Sequence, residues 1–202
     1  MFKNLIVYRI ATDWQPPELT ALEAELASSA FVPCGASQPM SLGWVPPRGQ
    51  PHAPLVESVG GGRHWLLRLK VERKLLPASV VKQRVEEMAA QIEQTAGRKP
   101  GKKECRELKD EAKLYLLPKA FPKQASTWVW IDPAARTLVI DASSQSRADM
   151  IVSALVDLLP GLSVSLLNTH SSPQACMAHW LQEQEPPTGF SVDRECELKS
   201  FS

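Results

Sequence analysis

The sequence lacks any long hydrophobic run, and this absence excludes an obvious membrane-spanning helix. The best candidate, residues 150–159, is interrupted by Asp157, whereas a helix that crosses a bilayer needs about 20 mostly apolar residues. The N-terminal stretch MFKNLIVYRIATDW has a brief apolar run but no small-residue cleavage site, so we expect no signal peptide. With 44% hydrophobic and 22% charged residues, the chain has the composition of a soluble globular protein.

Closely spaced cysteines are also missing. The four cysteines, Cys34, Cys105, Cys176 and Cys196, lie far apart and form no CxxC pair. Disulfide frameworks and structural zinc sites usually show closer cysteine spacings. We therefore expect free thiols in a reducing cytoplasm.

The chain has almost no net charge, but its charges are unevenly distributed. The formal net charge is +1, from 23 basic and 22 acidic residues. The segment 63–123 holds 16 of the basic and 8 of the acidic residues, which leaves 7 basic and 14 acidic residues elsewhere. A segment of charge +8 inside a nearly neutral chain indicates a localised anion-binding surface.

The N-terminal part of the chain predicts a sheet with one early helix. FKNLIVYRI, residues 2–10, has the β-branched and apolar composition of a strand, and residues 18–29 space their leucines three and four apart as an amphipathic helix does. Proline and glycine are frequent in residues 31–54, which favours short extended pieces and turns. In residues 63–76, polar and apolar side chains alternate, which predicts a long half-exposed strand.

Two amphipathic helices joined by GRKPGKK predict an antiparallel helical hairpin with a basic tip. The first helix begins near Pro77, and the second runs from Lys102 to Leu117, where Pro118 is expected to stop it. The apolar positions are Val81, Val85, Met88 and Ile92 in the first helix and Cys105, Leu108, Ala112 and Tyr115 in the second.

The C-terminal part predicts a β-hairpin followed by mixed elements. STWVWID and RTLVIDA flank the turn residues PAA, and we expect helices at 146–159 and 173–184, a strand at 162–167 and a weak strand near Phe190. Strands and helices do not alternate regularly, so we predict an α+β fold with a mixed or antiparallel sheet body and a projecting helical hairpin. The expected divisions are residues 1–76 as the first part of the sheet body, 77–124 as the arm, and 125–202 as the rest of the body.

The motifs that would indicate catalysis or a metal are incomplete. GRKPGKK has three residues between its glycines and no Ser or Thr after its lysines, so it is not a P-loop. His170, Cys176 and His179 have no second ligand pair of the kind that a structural zinc site needs. No serine-nucleophile motif is present. We expect no enzyme activity, no catalytic residue, no metal, no cofactor and no small-molecule substrate.

The basic cluster of the hairpin is the strongest local signal for function. Lysine and arginine without a base-reading motif favour contacts to phosphates, with weak sequence preference. The interleaved acidic residues leave open that the cluster is an ordinary solvated helix face, or a surface that docks onto an acidic protein. Trp128 and Trp130 share one side of their strand, so stacking on a single-stranded nucleic acid is a further alternative to packing. The candidate DNA-contacting residues are Arg98, Lys99, Lys102, Lys103, Arg106, Lys109, Lys113, Lys119 and Lys123.

Several stretches together resemble one family, RdgC. They are FKNLIVYRI at 2–10, AFVPCG at 30–35, MSLGWVPP at 40–47, LKDEAKLYLLPKAF at 108–121, WIDPAARTLVIDASS at 130–144 and GFSVDRECELKS at 189–200. The resemblance implies a non-enzymatic, nucleoid-associated protein of the cytoplasm that forms a homodimeric ring around double-stranded DNA. It also implies weak sequence preference, antagonism of the RecA recombinase, and a role in recombination and replication. Members of this family continue beyond a segment like ECELKS, so we expect a C-terminal portion to be missing here.

The resemblance also suggests a role for Phe121, which lies between Pro118 and Pro122 in the segment LYLLPKAFPK. If two arms meet to close a ring, Leu117, Pro118 and Phe121 would supply the apolar contact. The alternative is that Phe121 folds back onto its own helix as a C-terminal hydrophobic contact.

Overall fold

The computed structural model describes residues 2–169 and 171–192. The described residues up to Leu166 form one compact unit, and the described residues from Leu167 onward belong to a second. The elements of the first unit are β1 (Leu5–Ile10), α1 (Leu19–Ser28), β2 (Met40–Trp44), β3 (Val56–Val59), β4 (His64–Lys74), α2 (Ala78–Ala96), α3 (Lys102–Leu116), a 3₁₀ turn (Leu117–Lys119), β5 (Pro122–Asp132), β6 (Thr137–Asp141), α4 (Gln145–Leu158) and β7 (Val164–Leu166). The described part of the second unit contains α5 (Pro173–Glu183).

Within the described residues, seven strands form one sheet, and the α+β prediction is confirmed. The strand order is β2-β4-β5-β6-β1-β7, with β3 also paired to β4. All of these pairings are antiparallel. No helix among the described residues has the length and apolar character needed to span a membrane.

The two faces of the sheet differ because side chains alternate along each strand. On β4, Trp65, Leu67 and Leu69 are buried, and they belong to one hydrophobic cluster with residues of β1, β5 and β6. Helices α1 and α4 contribute buried residues to the same cluster, including Leu22 and Ile151. On the opposite face of β4, His64, Arg68 and Lys70 are half-buried, and Glu72 is buried. Alternation along β4 is therefore confirmed.

The segment rich in proline and glycine contains more sheet than the sequence indicates. Gly43 lies in β2, where a Cβ atom would come within 2.4 Å of the Phe31 backbone. This close approach lets the Phe31 N–H donate to the Trp44 carbonyl at 2.9 Å and the Trp44 N–H donate to the Ser29 carbonyl at 3.0 Å. A glycine is required there, because any side chain would push the two segments apart.

The helical hairpin is inserted between two strands that pair with each other. β4 and β5 pair antiparallel as far as Lys74 and Pro122, and the Leu75 N–H donates to the Phe121 carbonyl at 2.8 Å. The hairpin has its own buried residues, which are absent from the main hydrophobic cluster: Val81, Leu108, Ala112 and Leu117. The arm therefore has a small core separate from that of the sheet.

Some sequence predictions are wrong in detail. No strand forms near Phe190 among the described residues; its ring lies 5.2 Å from that of Trp180 instead. β5 begins at Pro122 and is longer than STWVWID, because its first residues pair with β4. β7 has three residues, Val164–Leu166, within the predicted 162–167. The end of the second hairpin helix before Pro118 is confirmed, since α3 ends at Leu116.

Candidate nucleic-acid interface

The tip of the hairpin is a tight loop organised by one carboxylate. α2 ends at Gly97, whose φ of 67° lies in the left-handed region that favours glycine. The Arg98 guanidinium donates two hydrogen bonds of 2.7 Å to Glu104, which also accepts the Gly101 N–H at 2.8 Å. The hydrogen bonds from Arg98 and the Gly101 backbone lower the pKa of Glu104 to about 2. Arg98 is therefore partly neutralised by a carboxylate that stays ionised.

Four of the predicted cations form one line along α3. Lys102, Arg106, Lys109 and Lys113 follow one another at spacings of four, three and four residues, which places them on one side of the helix. We call these four residues the basic stripe. Lys113 pairs with Asp110 at 2.8 Å, whereas the other three make no ion pair among the described residues. The sequence shows the acidic residues of α3 as interleaved, but helical spacing puts most of them off the stripe.

Lys99 and Lys103 flank the stripe and have looser partners. Lys99 lies 4.0 Å from Glu93, and Lys103 lies 3.9 Å from Glu107. Both lysine side chains are largely exposed. Exposed pairs at such distances are weak, so these cations stay accessible to another anion.

Lys119 and Lys123 lie at the base of the arm instead of the tip. The Lys119 ammonium is 3.9 Å from the ring centre of Tyr115, and Arg84 lies 4.4 Å from the same ring. Hydrogen bonding and charge from Lys119, with the charge of Arg84, lower the pKa of the Tyr115 hydroxyl. Because α3 is about 22 Å long, the nine predicted cations do not form one cluster.

The predicted interface residues divide into one buried and two exposed side chains. Leu117 is 7% exposed and packs within its own chain, so it is not available to a partner. Pro118 is exposed, and Phe121 is 81% exposed. The phenyl ring of Phe121 therefore does not fold back onto α3, which argues against a C-terminal hydrophobic contact with its own helix.

An apolar groove of about 630 Å³ lies between α2 and α3. Leu76, Val81 and Val85 line it together with Cys105. Three lysines and one carboxylate, Glu86, also line it, and two of the lysines belong to the basic stripe: Lys82, Lys109 and Lys113. The same arm thus presents both an exposed phenyl ring and an apolar groove with a positive edge.

The two tryptophans predicted to share a face do so, on the half-exposed side of β5. The guanidinium of Arg68 lies 5.1 Å from the ring centre of Trp128, and the ring of His64 lies 5.0 Å from that of Trp130. His64 also approaches Asp132, with Nδ1 and Oδ2 separated by 3.2 Å. Sequence reasoning missed Arg68 and His64, which only the register of β4 against β5 brings to the tryptophans.

No group of three or more His, Cys, Asp or Glu suited to a metal ion is found in the described part of the chain. The sequence disfavoured a zinc site made of His170, Cys176 and His179. In the structure, Cys176 and His179 lie on α5, and His170 lies outside the described residues. Cys196 also lies outside them, while Cys34, Cys105 and Cys176 are free thiols.

The fold and the arm define an α+β protein whose sheet carries an inserted, basic helical hairpin. Comparison with known proteins places this architecture in a family. The family model for RdgC, described as "Putative exonuclease, RdgC", matches residues 1–202. The chain belongs to the RdgC family, as the sequence resemblance predicted.

Named relatives agree with this assignment. The chain is 40% identical over 199 residues to the recombination-associated protein RdgC of Dechloromonas aromatica, with 98% of this chain and 64% of that protein covered. It is 42% identical over 201 residues to the protein of the same name in Cupriavidus pinatubonensis, with 100% of this chain and 66% of the relative covered. The chain thus spans about two thirds of the length of these curated relatives. Their names associate them with recombination and mention no enzymatic activity, whereas the family description mentions an exonuclease.

Proposed function

We propose that this chain binds double-stranded DNA through its phosphates, with little sequence preference, by means of the basic stripe and the tip of the arm. The observation that carries the proposal is the line of four cations, three of them without an ion-pair partner in the described residues. From Lys102 to Lys113 the stripe is about 16 Å long, which matches the axial length of about five nucleotides of one strand.

The charge distribution of the whole chain supports the same function. The region that contains the arm carries a net charge of +8, although the chain as a whole is nearly neutral. A local positive field attracts a polyanion and speeds its association, while the acidic remainder limits binding elsewhere on the surface. The recombination-associated names of the relatives fit a protein that acts on DNA.

We also propose that two copies meet through Pro118 and Phe121 and enclose the duplex as a ring. An exposed phenyl ring at the base of the arm is costly in water and gains free energy when a partner covers it. The groove between α2 and α3 is an apolar surface of the same arm that would receive it. A closed dimer on duplex DNA would hinder loading of RecA, which is the role in recombination that we infer for a nucleoid-associated protein of this family.

The single-strand alternative is less well supported. Stacking requires free aromatic faces in an open basic groove. Trp128 and Trp130 instead lie against Arg68 and His64 of the neighbouring strand. Quenching of tryptophan fluorescence by oligo-dT, at concentrations where duplex produces none, would favour the alternative.

The proposal is tested by measuring the affinity for two duplexes of unrelated sequence and equal length by fluorescence anisotropy. Phosphate binding predicts dissociation constants that agree within about threefold, since backbone contacts carry no base information. A surface built for an acidic protein predicts no saturable binding of either duplex. A preference of 1,000-fold or more for one sequence would contradict the proposal, because that is the range of specific recognition (~10³–10⁷).

A further inference from the structure

A second anion site lies on the sheet, away from the tip of the arm. We propose that the cavity between the ends of β4 and β5 and the first turn of α4 binds a phosphate monoester. The cavity has a volume of about 310 Å³. Its polar lining consists of three cations and three hydroxyl groups and includes no carboxylate: Arg73, Lys123, Arg147, Thr127, Ser144 and Ser146.

The register of the sheet forces two of these cations together. Arg73 of β4 and Lys123 of β5 are directly opposite each other, on the strand face that carries Val71 and Ala125 into the cavity. Like charges in directly opposed positions destabilise a sheet. Neither residue has an acidic partner among the described residues, and the Arg73 guanidinium instead donates to the sulfur of Met40 at 3.4 Å. An anion between them would remove this repulsion.

A largely buried threonine lines the same cavity. Thr127 is 6% exposed, and no hydrogen bond of its side chain is found within the described residues. Glu72, the other buried polar residue of the described chain, accepts hydrogen bonds from the Cys34 N–H at 2.8 Å and from Gln124. The hydroxyl of Thr127 is therefore available to an oxygen atom bound in the cavity.

The first turn of α4 closes the site with further donors. Ser144 is the N-cap residue, but its side chain makes no capping hydrogen bond. The N–H groups of Arg147 and Ala148 both donate to the Ser144 carbonyl at 3.2 Å, and no acceptor is found for those of Gln145 and Ser146 in the described part of the chain. Free N–H groups and the positive end of the helix dipole favour an anion at this position.

These features indicate the class of ligand. Three cations suit a dianion better than a carboxylate, and the cavity is at the small end of the range for ligand sites. Leu75, Ala125 and Met150 add an apolar wall that fits the carbon side of an ester. The same chemistry occurs in inorganic phosphate, in a nucleoside monophosphate, and at the 5′ end of a DNA strand.

Isothermal titration with inorganic phosphate and with dAMP tests the site. We expect Arg147→Gln to weaken binding of both at least tenfold, since it removes a charge-assisted hydrogen bond to the phosphate. Thr127→Val keeps the shape of the side chain and should weaken binding by about threefold to tenfold without lowering the melting temperature. Arg9→Gln, on β1 and outside the cavity, is the matched control and should change nothing. No binding to the wild type at about 10 mM ligand, or equal binding by all three variants, would overturn the proposal.

The source of the phosphate is determined with a duplex that carries or lacks 5′-phosphates. Tighter binding of the phosphorylated duplex, lost in Arg147→Gln, assigns the site to a strand end. Equal binding of the two duplexes, with dAMP binding retained, assigns it to a free small molecule. The site is separable from DNA binding by the arm: Lys102→Gln with Arg106→Gln should weaken duplex binding and leave dAMP affinity unchanged.

Discussion

Phe121 is 81% exposed although its neighbour Leu117 is almost fully buried. Because the phenyl ring contributes so little to packing in its own chain, Phe121→Ser should leave the melting temperature nearly unchanged. Covering one such ring in a dimer contributes roughly 1.5–3 kcal/mol, and two symmetric copies contribute twice that. We therefore expect the substitution to weaken self-association by about 100-fold or more, as measured by sedimentation equilibrium.

The matched control for Phe121 is Val32→Ser, since Val32 is 67% exposed and lies outside the arm. It should alter neither self-association nor melting temperature. A Phe121→Ser protein that dimerises like the wild type would contradict the interface, whatever its DNA affinity.

Glu104 gives the tip of the arm a defined pH dependence. Its pKa in the folded protein, about 2, lies below the usual value because of Arg98 and the Gly101 N–H. A group with a lowered pKa stabilises the fold above its unfolded pKa, and this stabilisation is lost as the pH falls toward 2. Amide hydrogen exchange at Gly101 should accelerate, relative to the intrinsic rate, between about pH 4.5 and pH 2.

Glu104→Gln should abolish this pH dependence, because the amide side chain does not titrate in that range. Glu86→Gln, on the neighbouring helix, is the control and should preserve it. If protection of Gly101 is equally pH-dependent in Glu104→Gln, another group controls the loop.

At the scale of secondary-structure elements, the long periodic segments could be predicted and the short strands could not. The helical period of residues 78–96 and 102–116 is clear because the apolar side chains of each helix lie on one side, where Val81 of α2 and Leu108 of α3 are buried. β2 and β3 have four or five residues and are held by pairing to β4, which local sequence does not encode. The sequence shows the residues of the basic stripe as part of a cluster of charges. Their separation from the acidic residues follows only from the helical spacing of α3. The cavity near Thr127 depends on the register between β4 and β5 and on the position of α4.

The arm should be removable without loss of the sheet. The Leu75 N–H already bonds to the Phe121 carbonyl, so a two-residue Asn-Gly turn between these residues continues the β4–β5 ladder. Replacing residues 76–120 by Asn-Gly should leave a cooperative thermal transition and the near-ultraviolet signal of the buried tryptophans. The shortened protein should lose duplex binding. A shortened protein that is unfolded would show that the arm belongs to the body of the fold.

The basic stripe can be compared with cations that already face a carboxylate. Lys102→Gln with Arg106→Gln should reduce the steepness of the salt dependence of duplex binding by up to about two units, because each lost phosphate contact removes about 0.9. Arg98→Gln with Lys113→Gln removes the same charge but affects residues paired with Glu104 and Asp110. We expect a smaller change for this second pair. If the two double variants change the salt dependence equally, the ion pairs with Glu104 and Asp110 do not determine which cations contact DNA.

At the scale of the whole molecule, a seven-stranded sheet carries an arm that presents both positive charge and an exposed apolar side chain. Duplex binding and self-association then support each other, since a dimer presents two basic stripes to one duplex. The Phe121→Ser protein should therefore bind duplex more weakly than the wild type, although its cations are intact. Affinity measured by anisotropy at a fixed salt concentration checks this coupling; unchanged affinity in a fully monomeric variant would separate the two properties.

The salt dependence of duplex binding by the unmodified chain tests whether this protein holds DNA by its phosphates. Four phosphate contacts by one basic stripe predict a slope of about −3.6 for the logarithm of the binding constant against the logarithm of the salt concentration, and two stripes on one duplex predict about −7. We expect a linear dependence with a slope in this range for a duplex of random sequence. Binding that is independent of salt, or absent even at low salt, would contradict the proposal that this protein holds DNA by its phosphates.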